Sequence, residues 1–599
     1  MSAYGESLSP EAWSVCMKAV IFSLLSSVES ELRAIGPPST KDRNQDEWKE
    51  TAIVVVQGVA DLFGSYLSVL ATHQSFPEIW RDLVDHFRTL LAFGNLDINA
   101  ATYSALRDIL HRCAEQEKSG VRKDDLDLAW ELWSQGVPVP GDGKDDKSSD
   151  NQKCLLVWVE ALLELYGLIQ EDFTVERVRR MLILLCDAMQ HATPGAYASD
   201  VEYVTPLQGK ILEVFRLMRT DLQGVPSAMI TQVAEFVSLA FAREDAAKAA
   251  AEKRTYVAMS KESMPILQAL IVKSAAERDI YETGAFASAL SALARPVILK
   301  YGFTIVPKSA QPWRVATQSA LAVLEAALPG FHTLDLPRET LQSIWTIVVS
   351  LANGIISADL AALSATTADI TGDQEFDITS FQQLRKLIIP ALGAETVLDA
   401  TRKTYAEGLF RTSIIHTPAP AEAAAIYGTN SSDPAGLGAL FKTRNGRTID
   451  PAPTQRSLMS QVCLDELFAL VEDHDNDGTA EPTHALHVRL ARTAAPYLIL
   501  RCALTLRGYV ADQPLRGRMP QPLSQRRELA RVLRCLVALR SEPEAIPDAP
   551  NVESETRKHL LRLYPLLVSA VQVAGTAGDE KVLGLVREAL DVVGGEFGL

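Results

Sequence analysis

Residues 48–70 read WKETAIVVVQGVADLFGSYLSVL, a stretch of 23 residues without a turn signal. Its apolar residues recur at steps of three and four, which is the spacing of one face of an α-helix. Polar residues occupy the opposite positions. The pattern predicts a long helix that must bury a wide apolar stripe against neighbouring elements. The predicted inward residues are Trp48, Ala52, Val55, Val59, Leu62, Tyr66 and Leu70.

Two further helices are predicted to follow on short loops. Ser75 and Glu78 have the spacing of a capping box ahead of the next apolar stripe. Asn95 and Asp97 then mark the start of a third helix. Three antiparallel helices on short loops form the unit of an α-solenoid, in which each helix pair covers the apolar face of the next. We therefore predict an all-α fold, an α-solenoid of stacked HEAT/armadillo-like helical hairpins.

Helical periodicity continues along the chain and is interrupted by two stretches rich in Pro, Gly, Ser and Asp. These stretches predict a mobile loop at 134–153 and a linker at 417–455, because both lack apolar anchors. Elsewhere, Thr205 and Gln208 predict a capping box, and Pro496 is expected to break or kink its helix. The predicted organisation is N-terminal helical repeats at 1–133, central repeats at 154–416 and C-terminal repeats at 456–599.

The composition is that of an ordinary folded protein, with 47% hydrophobic and 22% charged residues. A formal net charge of −17 argues against nucleic-acid binding by the protein as a whole, because a phosphate backbone attracts a basic surface. The seven cysteines are scattered, mostly within helical stripes, and are expected to be buried thiols in a reducing compartment. The sequence has no run of 18 apolar residues and no signal-peptide pattern. We therefore expect a location on the cytosolic side of the cell.

One acidic segment resembles half of a calcium loop. Asp473, Asp475, Asp477 and Gly478 have its D-x-D-x-D-G spacing, but the twelfth position is His484, where a bidentate Glu is required. We interpret the segment as a solvated acidic turn and the nearby histidines as a surface feature. Nucleotide-binding, zinc-protease, kinase and serine-hydrolase signatures do not occur in the sequence. The sequence thus predicts no catalytic residue, no cofactor and no metal.

Arginine is concentrated between residues 501 and 540, where nine arginines stand against only Asp512 and Glu528. The guanidinium group suits bidentate contact with carboxylate or phosphate. Two interpretations stay open: the side chains bind an acidic partner surface or anionic lipid, or they pair with acidic residues of adjacent helices. Three prolines between Tyr509 and Leu523 predict a connector, and connectors commonly carry function. The residues predicted to bind a partner or lipid are Arg516, Arg518, Arg526 and Arg527.

Several short strings, in order along the chain, resemble those of a known family. They are Trp48-x-Glu50-Thr51 with the following Gly58, Phe63 and Trp80; YVTPLQ at 203–208; APYLILR at 495–501; ADQPLRGRMPQP at 511–522; and VGGEFG at 593–598. Together they span the chain from end to end. They resemble the C-terminal region of the fungal monensin-sensitivity (Mon-two) family, large Golgi and endosome trafficking proteins related to the large Arf guanine-nucleotide exchange factors.

The resemblance implies a non-enzymatic helical-repeat scaffold in endosome–Golgi vesicle-mediated protein transport, cytoplasmic and peripheral on endosome and Golgi membranes. It implies three partners: a Dopey-type scaffold protein, a phospholipid flippase and an Arf-like GTPase. It also implies a C-terminal piece of a longer protein. Two alternatives remain: a regulator of an Arf-like small GTPase, acting through Arg444 or Arg447, and a karyopherin-like cargo-binding solenoid.

Limited proteolysis tests the predicted organisation. We expect the first cuts within 134–153 and within 417–455, because segments without apolar anchors open at little cost in free energy. Mass spectrometry of the earliest fragments locates the cuts. First cleavage inside the predicted 48–70 helix, with both segments intact, would contradict the organisation.

Overall fold

The chain is described here by a computed structural model, which covers residues 8–35, 43–115, 121–138, 151–193, 200–242, 255–303, 305, 307–360, 369–416, 452–473, 481–547 and 556–597. Most of the predicted loop at 134–153 and most of the predicted linker at 417–455 lie outside these residues. The chain divides into two compact units. The first comprises Met1–Ser274 with Ile305–Pro312, and the second comprises Ala275–Thr304 with Trp313–Leu599.

The first unit is helical throughout its described part. A π-helical turn, Met17–Ile21, joins its first two α-helices. The helices are α1 (Pro10–Cys16), α2 (Phe22–Ile35), α3 (Arg43–Ser65), α4 (Leu67–Leu70), α5 (Phe76–Leu91), α6 (Leu96–Glu115), α7 (Lys123–Trp133), α8 (Gln152–Ile169), α9 (Val175–His191), α10 (Pro206–Leu217), α11 (Val225–Ser238) and α12 (Val257–Ser274).

The second unit is built in the same way. Its helices are α13 (Asp279–Glu282), α14 (Ala285–Leu299), α15 (Pro312–Ala327), α16 (Arg338–Ile356), α17 (Ile370–Leu392), α18 (Asp399–Thr412), α19 (Ser457–Val471), α20 (Glu481–Arg516), α21 (Leu523–Ala538), α22 (Lys558–Ala577) and α23 (Glu580–Phe597).

Within each unit the helices pack in rows. In the first unit α3 contacts α6, α6 contacts α8, and α8 contacts α10. In the second unit α14, α16, α18, α20 and α22 each contact the next in that series, while α17 contacts α19 and α21 contacts α23. Each helix of a row therefore packs against neighbours on two sides, as in helical-repeat proteins. No strand occurs among the described residues, and the predicted all-α solenoid class is confirmed.

The predicted 48–70 helix is present but is interrupted. It forms α3, a turn at Tyr66 and the short α4. Its buried face is rotated from the predicted stripe, because Val56 and Phe63 are fully buried whereas Val55 and Leu62 are only half-buried. The neighbours α2 and α6 thus cover a face of α3 that includes Ala52, Val56 and Phe63 and lies to one side of the predicted stripe.

The two predicted capping boxes have different outcomes. At the start of α10, the Thr205 hydroxyl accepts a hydrogen bond from the Gln208 backbone N–H at 3.2 Å, and the Gln208 side-chain oxygen Oε1 accepts one from the Thr205 backbone N–H at 3.0 Å, so this prediction is confirmed. At the start of α5 the prediction is wrong. Ser75 Oγ instead lies 2.6 Å from His73 Nδ1, and Glu78 accepts a hydrogen bond from the Lys18 ammonium at 2.7 Å.

The expected break at Pro496 does not occur. α20 runs continuously from Glu481 to Arg516 and contains both Pro496 and Pro514. A proline removes only one backbone N–H and is tolerated where packing holds the surrounding turns. Here the flanking Ala495 and Leu498 are almost fully buried, and α20 contacts α18, α19 and α22.

The flanks of the predicted linker lie side by side. His416 and Pro453 form an isolated antiparallel β-bridge, and the Thr454 N–H donates to the Ile415 carbonyl at 2.7 Å. Both flanks belong to the second unit. The two described ends of this stretch, His416 and Pro453, are therefore held next to each other in the second unit.

The burial of the cysteines matches the expectation from the sequence. All seven cysteines are free thiols, and Cys113, Cys154, Cys186, Cys463 and Cys502 are buried, as expected.

Two helical segments, Pro10–Ala34 and Lys558–Ala577, are long and apolar enough to cross a membrane on length and composition alone. A buried core helix and a signal sequence near the N-terminus pass the same test, and the two segments are 39% and 28% buried. Each buries one face, on which Leu25 and Leu560 are fully buried.

Two glycine substitutions test the packing of the second unit. A Cβ at Gly393, which follows α17, would overlap the backbone carbonyl of Leu486 in α20, whereas a Cβ at Gly584 in α23 meets nothing within 4 Å. We expect Gly393→Ala to lower the free energy of unfolding by about 1–3 kcal/mol through overpacking. Gly584→Ala should raise it by up to about 1 kcal/mol, because Ala favours the helix. Urea unfolding measures both, and equal effects of the two substitutions would contradict the close approach of α17 and α20.

Candidate functional site

The four predicted arginines lie at the junction of α20 and α21. Arg516 is the last residue of α20, so the helix extends further than predicted and Arg516 is not in the connector. Arg518 lies in the connector, residues 517–522, between the two helices. Arg526 and Arg527 lie in the first turns of α21.

Arg526 has an internal partner. Its Nη2 lies 3.0 Å from Oδ1 of Asp579, whose side chain is 8% exposed and which lies between α22 and α23. For Arg526 the structure thus favours the second interpretation from the sequence, an ion pair with a neighbouring element. Arg516 also has an interaction partner within the chain. Arg531, on the same helix as Arg526, forms a bidentate pair with Asp465 of α19 at 2.5 and 2.6 Å.

Arg518 and Arg527 differ from these residues. Both side chains are exposed, and neither forms an ion pair or hydrogen bond with any described residue. Arg526 and Arg527 are adjacent in sequence, but successive helical residues point about 100° apart, since a turn holds about 3.6 residues. Arg526 therefore faces Asp579, while Arg527 faces solvent.

The side chain of Gln513 fixes the connector through hydrogen bonds. This side chain is 1% exposed, and its Nε2 donates hydrogen bonds to the carbonyls of Gly517 at 3.0 Å and Met519 at 2.9 Å. Gly517 has φ of +59°, a conformation that glycine adopts without strain. The Met519 N–H donates to the Arg516 carbonyl at 3.1 Å. The path of the connector is therefore set by buried hydrogen bonds.

Arg501, another residue of the arginine-rich segment 501–540, is buried in a polar network that the sequence did not reveal. Its guanidinium pairs with Glu528 and donates to the Ser413 carbonyl at 3.0 Å. The other carboxylate oxygen of Glu528 lies 2.7 Å from His416 Nδ1, and His416 Nε2 lies 3.0 Å from Ser524 Oγ. This order of atoms matches a Ser–His–acid triad. Arg501, however, neutralises the carboxylate charge that a triad uses to stabilise a protonated histidine, so we interpret the network as structural.

The charges of this network affect the protonation of Glu528. Burial alone would raise the pKa of its carboxyl, but the Arg501 charge and the hydrogen bonds from His416 and Arg501 lower that pKa to about 2. Glu528 is thus ionised in the folded protein at any physiological pH. The sequence did not show that Arg501 on α20, His416 and Glu528 on α21 would meet.

A further buried network lies deeper in the second unit. Lys300 Nζ lies 2.7 Å from Asp377 Oδ2, and Arg456 pairs with the same carboxylate. Burial lowers the pKa of Lys300 to about 8, against the attraction of Asp377. Tyr301 donates a hydrogen bond to Asp373 at 2.8 Å beside this group. The network joins the residue after α14 and the residue before α19 to α17, through the carboxylate of Asp377.

Most of the other residues that the sequence suggested as candidate sites lie outside the described residues. Most of the acidic segment from Asp473 to Gly478, together with His474, Arg444 and Arg447, lies outside the described residues. His487 Nε2 lies 2.7 Å from the Glu472 carbonyl oxygen. In the described part of the chain, no three His, Cys, Asp or Glu side chains are grouped so as to hold a metal ion.

Comparison with known proteins gives relatives along the whole chain. No protein-family model matches it. It is 19% identical to the "Protein MON2 homolog" of Drosophila melanogaster, covering 98% of this chain and 38% of that protein. It is 21% identical to the "Protein MON2 homolog" of Schizosaccharomyces pombe, covering 88% and 31%. The chain therefore spans well under half the length of the curated relatives it matches.

A solved structure also overlaps the chain, the "Circular tandem repeat protein with novel repeat topology and enhanced subunit contact surfaces". It is 14% identical and covers 96% of this chain and 95% of its own, with a TM-score of 0.23. A TM-score this low carries no argument, and the fold class rests on the helix packing described above.

Replacing Glu528 tests the Arg501 network through its pH dependence. The folded-state pKa of about 2 is below the ordinary 4.5, so ionised Glu528 stabilises the fold above about pH 4.5, and this contribution is lost as pH falls towards 2. We expect Glu528→Gln to be less stable than the wild type by about 3 kcal/mol at neutral pH.

The difference should shrink as pH falls below 4.5, and urea unfolding across a pH series measures it. The matched control is Glu407→Gln, which removes a surface pair with Arg411 and should cost less than about 1 kcal/mol. A difference between wild type and Glu528→Gln that does not change with pH would contradict the assigned network.

Proposed function

The chain belongs to the Mon2 family, and from this we propose that it is a non-enzymatic helical-repeat scaffold in endosome–Golgi vesicle-mediated protein transport. Its proposed location is cytoplasmic and peripheral on endosome and Golgi membranes. The observation that carries the proposal is the relation to the Drosophila Mon2 homologue over 98% of this chain. Since the chain corresponds to 38% of that protein, the proposed role is that of one region within a larger scaffold.

The architecture supports a binding role. Rows of stacked helices present long surfaces, and repeat proteins use such surfaces to hold partners. The charged side chains in the two buried networks are neutralised within the fold, so the chemistry available at the surface is recognition. The proposed partners are a Dopey-type scaffold protein, a phospholipid flippase and an Arf-like GTPase.

The proposed contact site is the α20–α21 junction with Arg516, Arg518, Arg526 and Arg527. Its exposed charges are Arg518 and Arg527, which have no partner among the described residues. Arg526 contributes through the ion pair with Asp579, which orients the start of α21. The chain as a whole has a net charge of −17 and repels anionic surfaces. A local positive site is therefore the part of the chain that can bind such a surface.

Charge reversal at this site tests the proposal in cells. We expect the tagged chain to be recruited to Golgi and endosomal membranes and to co-purify with transport proteins. The variant Arg518→Glu/Arg527→Glu should be recruited less, with an unchanged melting temperature, because neither side chain forms an internal pair. Imaging and affinity purification with mass spectrometry give the two readouts.

The control variant is Arg295→Glu/Lys386→Glu, which makes the same change in charge at two other exposed residues of the second unit without described ion pairs. It should behave as the wild type. Co-purification of the wild type with nuclear-transport cargo in place of membrane-traffic proteins would contradict the proposal. Acceleration of nucleotide exchange or hydrolysis on an Arf-like GTPase by the purified chain would also contradict it.

A further inference from the structure

The α20–α21 connector exposes two large apolar side chains. Met519 is 70% exposed and Leu523, the first residue of α21, is 61% exposed. A single exposed apolar residue is common on protein surfaces and needs no explanation. Met519 and Leu523, four positions apart in the connector and at the start of α21, together expose apolar surface that water solvates poorly, and we call this pair the apolar tip.

Unpaired positive charge lies on both sides of this tip. Arg518 precedes Met519, and Arg527 lies one helical turn beyond Leu523. The two guanidinium groups have no acidic partner among the described residues, although the chain carries 75 acidic residues against 58 basic ones. The connector thus combines exposed aliphatic and thioether groups with guanidinium groups that have unused hydrogen-bond donors.

The connector is also preorganised. Gln513 holds the carbonyls of Gly517 and Met519, and Pro520 and Pro522 restrict the backbone between the two apolar residues. Gln521, between these prolines, is buried and anchors the centre of the connector. Binding therefore requires little ordering of the backbone, which is one of the usual costs of association.

We infer that residues 517–523 form a membrane-insertion loop for anionic bilayers, in which Met519 and Leu523 enter the interface and Arg518 and Arg527 bind lipid phosphates. This inference rests on the proposed function at a membrane and names the ligand of its contact site. An acidic protein surface would satisfy the arginines but would leave the apolar tip in contact with charge and water. The headgroup and acyl boundary of a bilayer accepts both kinds of group.

The loop alone provides weak and reversible attachment. Each arginine near an anionic surface contributes about fivefold in binding, and stable anchoring of a protein needs more than one such element. The attraction of the arginines is screened by salt, while the apolar contribution is not. The two contributions can therefore be separated by experiment.

Vesicle binding by the purified chain tests the inference in the absence of partner proteins. The probes are phosphatidylcholine vesicles with and without phosphatidylserine, and the readout is co-sedimentation. We expect the wild type to bind only the vesicles that contain phosphatidylserine. Arg518→Glu/Arg527→Glu should weaken binding by more than about twentyfold, as two arginines at fivefold each would give, and salt should weaken the wild type in the same way.

The apolar part is tested by Met519→Ser/Leu523→Ser. This variant should bind at least about tenfold more weakly, because two buried apolar side chains are lost, and the loss should persist at high salt. The matched controls are Val54→Ser/Ile183→Ser, which removes two similarly exposed apolar side chains elsewhere, and Arg295→Glu/Lys386→Glu. Both should bind as the wild type. Thermal melting checks the fold, and Arg518→Gln/Arg527→Gln and Met519→Gln/Leu523→Gln replace any variant that fails to fold.

Three outcomes would overturn the inference. The first is wild-type binding that is unaffected by the connector variants. The second is binding equally reduced by the control variants, which would indicate nonspecific adsorption. The third is a purified chain that does not bind vesicles but is recruited to membranes in cells through co-purifying proteins. This result would leave the proposed scaffold function intact. Binding to vesicles without any recruitment in cells would instead support the lipid contact and contradict the proposed function.

Discussion

The width of the apolar surface on each helix is the constraint on which the rest of this structure depends. α3 illustrates it, because its buried residues Ala52, Val56, Ala60 and Phe63 form a continuous apolar face that neighbouring helices must cover. α2 and α6 shield it together, and α6 in turn needs α8. The same requirement repeats along α14, α16, α18, α20 and α22 in the second unit. Stability is therefore built from contacts between neighbours within each unit.

Buried charges add long-range connections to this local packing. Asp377 in α17 binds Lys300 and Arg456, which lie 77 and 79 residues away in the sequence. Glu528 in α21 similarly joins Arg501 and His416. Apolar stripes can slide along one another, whereas a buried ion pair forms at one register only, because an unpaired buried charge is costly. These two networks are consistent with a role in fixing which helices of the second unit meet and where.

The fold class could be predicted from periodicity because the inward and outward positions of a helix differ in local sequence alone. Glu50, Gln57 and Asp61 are exposed as predicted, and the Thr205 cap is formed between residues three positions apart. Features that depend on distant partners could not be predicted. The sequence singled out Arg526 and Arg527 together, but only the position of Asp579, 53 residues from Arg526, separates an internal pair from an exposed charge. The break considered at Pro496 does not occur for the same reason, since the helices that support α20 are remote in sequence.

The bridge between His416 and Pro453 bears on how this protein can change over evolution. His416 and Pro453 lie side by side, so the length of sequence between them is not dictated by a distance that it must span. The entropic cost of closing a flexible loop between two such points rises only logarithmically, by about 0.6 kcal/mol for each doubling of its length. Residues can thus be gained or lost there while α18 and α19 keep their register. The helical rows are constrained by their neighbours, and this junction is a place where new sequence can be added at small cost to stability.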